Sequence, residues 1–194
     1  SLRSPLHPTQ GSLPPSLTFS PPPPLSSRLQ DAVTCIRLCR EEGAHVYSNS
    51  WGGVGYSETL LQEIQKLNEA GALFVVAAGN NNMLNLDSTP LYPASYKVDN
   101  VITVASTTSK NQLSSFSNIG TGTVHVAAPG STVYSTTVDG SYGSMSGTSM
   151  SAPIVSGLAA LLKGVAMNEG YELSANELRD IIVKSAVPFA GGTR

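Results

Sequence analysis

Charged residues, aromatic residues and cysteines are all scarce in this sequence of 194 residues. Asp, Glu, Lys and Arg make up 12% of the chain and the net charge is −2, which excludes the dense positive surface of a nucleic-acid-binding protein. No apolar run approaches the roughly 20 residues of a membrane span, so we predict no membrane span. Aromatic residues account for 6% of the chain, whereas there are 18 glycines, a balance that favours an α/β protein with close helix–sheet packing.

The two cysteines, Cys35 and Cys39, lie four residues apart on one face of a predicted helix. They could form a redox pair or half of a metal site, or they could be two small apolar side chains buried in a core. Because no second Cys/His cluster completes a zinc site, we expect the buried pair and predict no metal ligands.

Residues 1–24 differ in composition from the rest of the chain. They are rich in Pro, Ser and Leu and include four consecutive prolines at 21–24, which favours extended polyproline conformations over a packed core. We expect a disordered segment there. Three interpretations of the segment remain: a linker, a ligand for an SH3-like or WW-like partner, or a mistranslated intron.

Hydrophobic periodicity predicts alternating helices and strands across residues 25–194. A first helix, capped by Ser26 or Ser27, should run to about Glu42, and further helices should begin at Ser57, near Ser149 and at Ser174. Strands are predicted at 45–51, 73–78, 101–105, 124–128 and 133–136, with a loop at 140–146. The uninterrupted apolar run at 73–78 is typical of a strand that is buried on both faces of a parallel sheet, and the fold class is therefore α/β.

The string Gly147-Thr148-Ser149-Met150-Ser151-Ala152-Pro153 contains a candidate nucleophile. Small neighbours leave the Ser149 hydroxyl uncovered, and the predicted helix starts within a residue or two of it. Pro153 fits the first turn of that helix, whose N–H groups lack partners and would face an oxyanion forming beside Ser149. The alternative is that Ser149 merely belongs to a helix cap.

Two predicted strands end in turns that could complete such a site. Ser50-Trp51-Gly52-Gly53 follows one strand, and its glycines leave backbone groups free to pair with an extended peptide. Gly79-Asn80 follows the next strand, and the Asn80 amide could donate to an oxyanion. Because ligands bind at the carboxyl ends of parallel strands, we expect both turns to lie beside one site.

The string around Ser149 resembles the nucleophile signature of the subtilisin-like serine proteases, the subtilases. The turns at 50–53 and 77–80, and the segments 92–96, 114–118 and 127–130, match the same pattern in order, so that the resemblance covers about residues 29–188. It implies a three-layer α/β/α fold, and serine endopeptidase activity on peptide or protein substrates through an acyl-enzyme on Ser149, with Asn80 as the oxyanion donor. It also implies that the residue before the scissile bond is bound by Ser50, Trp51, Gly52, Gly53, Ala77, Ala78 and Gly79.

Neither the aspartate nor the histidine that such a mechanism needs is found in its usual string. Subtilases carry these residues in Asp-[Ser/Thr]-Gly and His-Gly-Thr-His, and both strings are absent here. We predict that none of the three histidines is the base: His7 lies in the Pro-rich segment, His45 begins a strand, and His125 comes after Asn80, in the wrong order. Everything missing belongs upstream of residue 25, so we expect an N-terminally truncated catalytic domain that is inactive alone, with an unprotected sheet edge and an uncovered apolar face.

Several further expectations come only from the resemblance. Relatives are mostly secreted or enter the secretory pathway, although this chain begins without the pattern of a secretion signal. Calcium is a cofactor that the family allows, and His125 stands where relatives often have an acidic residue of a weak calcium site. A non-catalytic module that binds extended peptides remains the alternative function. An α/β-hydrolase is excluded because Met145 occupies the centre of Gly143-Ser144-Met145-Ser146-Gly147, where its nucleophile would stand.

Overall fold

The computed structural model describes the backbone of residues 25–187 and the side chains from residue 28 onwards. The segment 1–24, which we predict to be disordered, lies outside the described residues. Within them the helices are α1 (Leu25–Glu41), α2 (Glu58–Glu69), α3 (Thr148–Asn168) and α4 (Ala175–Ser185). The strands are β1 (Val46–Asn49), β2 (Leu73–Ala77), β3 (Val101–Thr107), β4 (Val126–Pro129), β5 (Val133–Thr136) and β6 (Tyr142–Met145).

Strands β1 to β4 form a parallel sheet in the order β1-β2-β3-β4. Val75 of β2 lies opposite Ser48 of β1 on one side and Ile102 of β3 on the other. Because the strands are parallel and each connection returns the chain to the same end of the sheet, the turns that follow β1, β2 and β4 share one edge. This confirms the predicted α/β class.

Side chains of β2 alternate between two apolar layers. Phe74 and Val76 pack with α1 and α2 on one face of the sheet, whereas Leu73, Val75 and Ala77 pack with α3 and α4 on the other. All five residues of the strand are buried. A strand that is covered on both faces explains the continuous apolar run, and the two helical layers confirm the three-layer arrangement.

The cap and the cysteines of α1 differ from what the sequence predicts. The helix begins at Leu25, so Ser26 and Ser27 lie within it and do not precede it as caps. Val33 and Ile36 are the side chains that it buries in the core, whereas Cys35 and Cys39 are exposed free thiols beside a groove between α1 and β1. The expectation of two buried cysteines is wrong, because helical spacing turns them away from the face that Val33 and Ile36 share.

The segment 140–146, which the sequence predicts as a loop, contains β6. It pairs antiparallel with β5, and Tyr134 and Tyr142 stack on one face of the hairpin with ring centroids 6.0 Å apart. The turn carries Asp139-Gly140, a dipeptide that favours tight hairpins, and Gly140 has a positive φ of 76°. The hairpin delivers the chain to Gly147 and α3.

Helix ends follow their predicted caps at α2 and α4. The Ser57 hydroxyl accepts a bond from Leu60 N at 3.2 Å, and Ser174 forms a reciprocal capping box with Glu177. On α4, Leu178 and Ile182 are buried, whereas Ile181 is 41% exposed. Helix α3 begins at Thr148, which places Pro153 inside the helix and not on its first turn.

Helix α3 is long and apolar enough, by length and composition, to cross a membrane. It packs nevertheless against all four strands of the parallel sheet and buries a polar set of residues as well as apolar ones, including Thr148, Ser151 and Lys163. These contacts identify it as the core helix of the second layer. Its other face carries the exposed apolar residues Ile154, Leu158, Leu161 and Val165.

Candidate active site

A cleft of about 350 Å³ lies at the carboxyl edge of the parallel sheet. The segment after β1 forms one wall, the segment after β2 forms the opposite wall, and the start of α3 closes one end. Its lining residues are Ser50, Trp51, Gly52, Gly53, Val54, Ala77, Ala78, Gly79, Asn80, Asn81, Leu91, Tyr92, Ala94, Thr148 and Ser149. Every site residue that the sequence predicts is therefore brought into one cleft.

Ser149 is paired with Ser50 across the cleft. The Ser149 hydroxyl donates to the Ser50 carbonyl oxygen at 3.4 Å, and the Ser50 hydroxyl donates to the Ser149 carbonyl oxygen at 2.8 Å. In a regular helix the Ser149 carbonyl would accept from the N–H of residue 153, but that residue is proline and has no N–H. Ser50 therefore supplies the bond that Pro153 cannot make, and it joins the nucleophile turn to the end of β1.

The Asn80 side chain is held in one orientation by Thr148. Its amide oxygen accepts from Thr148 N at 2.9 Å and from the Thr148 hydroxyl at 3.0 Å. A backbone N–H can only donate, so it assigns the oxygen end of the amide to Thr148 and leaves Nδ2 as the end that can donate elsewhere. A Cβ atom built at Gly147 would lie 3.4 Å from that nitrogen, which places the donor beside the nucleophile turn.

Gly130, which follows β4, lets the nucleophile turn approach the sheet. A Cβ atom at this position would lie 2.1 Å from Ser151 Oγ and 2.7 Å from the Gly147 carbonyl oxygen. Gly147 N donates in turn to the Gly130 carbonyl oxygen at 2.8 Å. The absence of a side chain at 130 thus fixes how closely Ser149 sits against the end of the sheet.

The cleft walls are tied together away from Ser149. Gly53 and Tyr92 exchange backbone bonds of 2.8 and 2.7 Å, and the Gly52 Cβ position would lie 3.0 Å from the Tyr92 carbonyl oxygen. Leu91, Tyr92 and Ala94 therefore line the cleft as well, although their sequence pattern does not assign them to the site. No lining residue of this cleft, among the residues that the structure describes, carries a formal charge.

Neither described histidine can reach Ser149. His45 directly precedes β1 and His125 directly precedes β4, which puts both at the amino edge of the sheet, whereas Ser50 and Gly130 follow those strands at the carboxyl edge. A four-residue strand spans about 13 Å. His125 Nδ1 also accepts from Thr103 N at 2.9 Å, and burial, together with the nearby Arg179 and Lys97, lowers its pKa to about 4. His7 lies outside the described residues.

The surroundings of His125 do not fit the weak calcium site that the family allows. Calcium takes oxygen ligands, whereas His125 presents an imidazole that is already bonded to the backbone, and cations of Lys97 and Arg179 lie close enough to shift its pKa. Lys97 Nζ donates to the Gly122 carbonyl oxygen at 2.7 Å, which puts a cation in this region. Over residues 25–187 no group of three His, Cys, Asp or Glu side chains could hold a metal ion.

Comparisons with known proteins agree with this geometry. The sequence model of the Subtilase family matches residues 22–193. The chain is 42% identical over 147 residues to the extracellular basic protease of Dichelobacter nodosus, a match that covers 72% of this chain and 23% of that protein. It is 40% identical over 156 residues to thermitase of Thermoactinomyces vulgaris, covering 80% of this chain and 51% of that protein.

A solved structure shares the fold as well. The crystal structure of a cold-adapted subtilisin-like serine proteinase superposes with a TM-score of 0.68 and 34% identity, covering 80% of this chain and 54% of the other. The chain spans between 12% and 54% of the length of the curated relatives that it matches.

Proposed function

Since this chain belongs to the subtilase family of serine proteases, we propose that the protein it comes from is a serine endopeptidase that hydrolyses peptide bonds through an acyl-enzyme on Ser149. In this proposal the Asn80 amide stabilises the oxyanion of the tetrahedral intermediate. The walls at 50–53 and 77–79 hold the substrate residue that precedes the scissile bond.

The observation that carries the proposal is the placement of Ser149 and Asn80 against one another through Thr148. Thr148 N and the Thr148 hydroxyl donate to the Asn80 amide oxygen at 2.9 and 3.0 Å, and Ser149 is the next residue on the first turn of α3. The Ser149 N–H and the Asn80 Nδ2 can converge on an oxygen that gains charge beside Ser149. Such preorganised donors typically lower the barrier by about 3 kcal/mol each.

The general base and its orienting carboxylate come, in this proposal, from polypeptide that precedes residue 25. The only acceptor described for the Ser149 hydroxyl is the Ser50 carbonyl oxygen, which is not a base. Strand β1 forms one edge of the described sheet, and the exposed apolar stripe of α3, formed by Ile154, Leu158, Leu161 and Val165, gives additional polypeptide a surface to cover. Without that polypeptide we expect the 194-residue chain to have essentially no activity.

A non-catalytic peptide-binding module is the second candidate. It is favoured by one observation: among the described residues, no histidine or carboxylate lines the cleft that contains Ser149. Such a module would bind an extended peptide along 50–53 without cutting it.

Labelling with a fluorophosphonate separates the two candidates, because the reaction needs an activated serine. The full-length natural protein and the 194-residue chain are each treated with the probe, and the labelled residue is located by mass spectrometry. We expect labelling at Ser149 in the full-length protein, none in the chain alone, and none in Ser149→Ala. An unlabelled but folded full-length protein that still binds extended peptides would replace the endopeptidase by the binding module.

The role of Asn80 has its own test. Asn80→Ala should lower kcat by about a hundredfold with little change in KM, because the donor acts mainly in the transition state. Equal kcat values for the variant and the natural protein would remove Asn80 from the mechanism while leaving Ser149 in it.

A further inference from the structure

We propose that Asn118 is a positioning residue that holds the turn around Asn80 in its catalytic geometry. This role rests on the proposed function of Asn80 as the oxyanion donor. Asn118 lies in the connection between β3 and β4, far from Asn80 along the chain, and its side chain is fully buried.

Asn118 bonds to the residues on both sides of Asn80. Its backbone N donates to the Gly79 carbonyl oxygen at 3.0 Å, and its Oδ1 accepts from Asn81 N at 2.8 Å. Its Nδ2 donates to the Ala78 carbonyl oxygen at 2.9 Å and to Asn81 Oδ1 at 3.1 Å. The amide therefore uses both of its ends on residues 78–81, and a buried amide that loses them would leave unpaired backbone groups there.

The turn also has a backbone conformation that depends on this contact. Gly79 has a positive φ of 95°, which is the left-handed region, and a Cβ atom on it would lie 2.6 Å from Asn118 Nδ2. Glycine at 79 thus allows Asn118 to approach the turn closely. Thr148 fixes the direction of the Asn80 side chain, whereas Asn118 fixes the backbone from which that side chain extends.

The rest of the segment that carries Asn118 is anchored independently. Asn82 N donates to the Phe116 carbonyl oxygen at 3.1 Å, and Ile119 exchanges backbone bonds with Leu84 and Leu86 at 2.9 and 2.8 Å. Removing the Asn118 side chain should therefore leave this segment in place and release mainly residues 78–81. A displacement of the donor by a fraction of an ångström lowers transition-state stabilisation, and mispositioning of about 1 Å can cost about a hundredfold in rate.

The test compares Asn118→Ala with Asn100→Ala in the full-length protein. Asn100 is an equally buried amide whose Nδ2 donates to the Ala72 carbonyl oxygen at 2.9 Å, next to the start of β2 at the amino edge of the sheet. Both variants should lower thermal stability, but only Asn118→Ala should lower kcat, by about tenfold or more, with KM nearly unchanged. A fall in kcat no larger than that of Asn100→Ala overturns the inference.

A double variant separates this inference from the proposed function beneath it. If Asn118 acts through Asn80, Asn118→Ala should slow the Asn80→Ala enzyme by less than twofold. A full tenfold loss in that background overturns the positioning role while Asn80 remains the donor. An Asn80→Ala enzyme with natural kcat overturns the role of Asn80 and the inference together.

Asn81→Ala is the variant to test in place of Asn118→Ala if Asn118→Ala does not fold. Asn81 is exposed and lines the cleft, and its substitution removes the side-chain amide whose Oδ1 accepts from Asn118 Nδ2 at 3.1 Å. We expect a several-fold lower kcat in this variant and no further loss when it is combined with Asn80→Ala. An unchanged kcat contradicts the inference.

Discussion

The bond between the Ser50 hydroxyl and the Ser149 carbonyl oxygen should contribute to the stability of the protein only because residue 153 is proline. A neutral hydrogen bond of 2.8 Å to a backbone carbonyl contributes about 1 kcal/mol to stability. Ser50→Ala should therefore lower the free energy of unfolding by about 1 kcal/mol. In a domain of 150–250 residues that loss corresponds to a fall in Tm of about 2–4 °C.

Pro153→Ala restores a backbone N–H four residues after Ser149, and a helical N–H at that position bonds to the same carbonyl. In this background Ser50→Ala should cost less than about 0.5 kcal/mol, because the carbonyl keeps a partner. The coupling between the two substitutions is the quantity to measure, since Pro153→Ala alone also changes the entropy of the unfolded chain.

The assay is urea unfolding of the full-length protein, followed by circular dichroism, for the four members of this double-mutant cycle. All four carry Ser149→Ala, which prevents self-cleavage and leaves the backbone carbonyl in place. Equal costs of Ser50→Ala in the two backgrounds would refute the argument that Pro153 leaves this carbonyl to Ser50.

Two further predictions concern stability. Gly130→Ala should destabilise the protein by about 3 kcal/mol in urea unfolding, because its Cβ would lie 2.1 Å from Ser151 Oγ. Gly157→Ala on α3 should stabilise the protein by about 0.5 kcal/mol, because its Cβ would meet nothing within 4 Å. Similar effects at both glycines would contradict this reasoning. His125 is a partly buried imidazole with a pKa of about 4, against 6.5 when unfolded, so its contribution to stability is complete above pH 6.5 and is lost as the pH falls towards 4. His125→Gln should remove about 3 kcal/mol of the difference in unfolding free energy between pH 7 and pH 4, and an unchanged pH dependence would show that His125 is not the group responsible.

Burial on both faces made the central strand predictable from sequence. The run at 73–78 has no polar interruption, and the structure places β2 between two apolar layers. The caps at Ser57 and Ser174 were predictable for a similar reason, since each uses a local bond to a residue three positions away. Local signals of this kind locate elements without any knowledge of tertiary contacts.

Features that depend on contacts distant along the chain were not predictable. Helical spacing separates Cys35 and Cys39 from Val33 and Ile36, but only packing shows which of these two faces of α1 the core covers. The start of α3 was predicted to within a residue or two, but the Asn80 amide oxygen that accepts from Thr148 N there comes from a distant part of the chain, which a local pattern does not contain.

The candidate site was predictable where it coincides with a motif and not elsewhere. The residues at 50–53, 77–80 and 149 follow strands or begin a helix, and the edge to which parallel strands deliver them is fixed by topology. Leu91, Tyr92 and Asn118 reach the site through loops, whose course the sequence does not specify. Segments 92–96 and 114–118 resemble the family pattern, yet that resemblance assigned them no role.

In the proposed function, one continuous stretch of chain supplies most of the site, whereas the base that would activate Ser149 comes from elsewhere. The proposed nucleophile, oxyanion donor and substrate-binding walls all follow strands or begin a helix packed on one parallel sheet, so residues 50–149 assemble them together. Proton transfer needs a base within hydrogen-bond reach of Ser149 Oγ, and among the described residues no histidine or carboxylate lines the cleft. We therefore expect the orientation of Ser149 and Asn80 not to depend on that base, because the bonds that orient them come from Ser50 and Thr148.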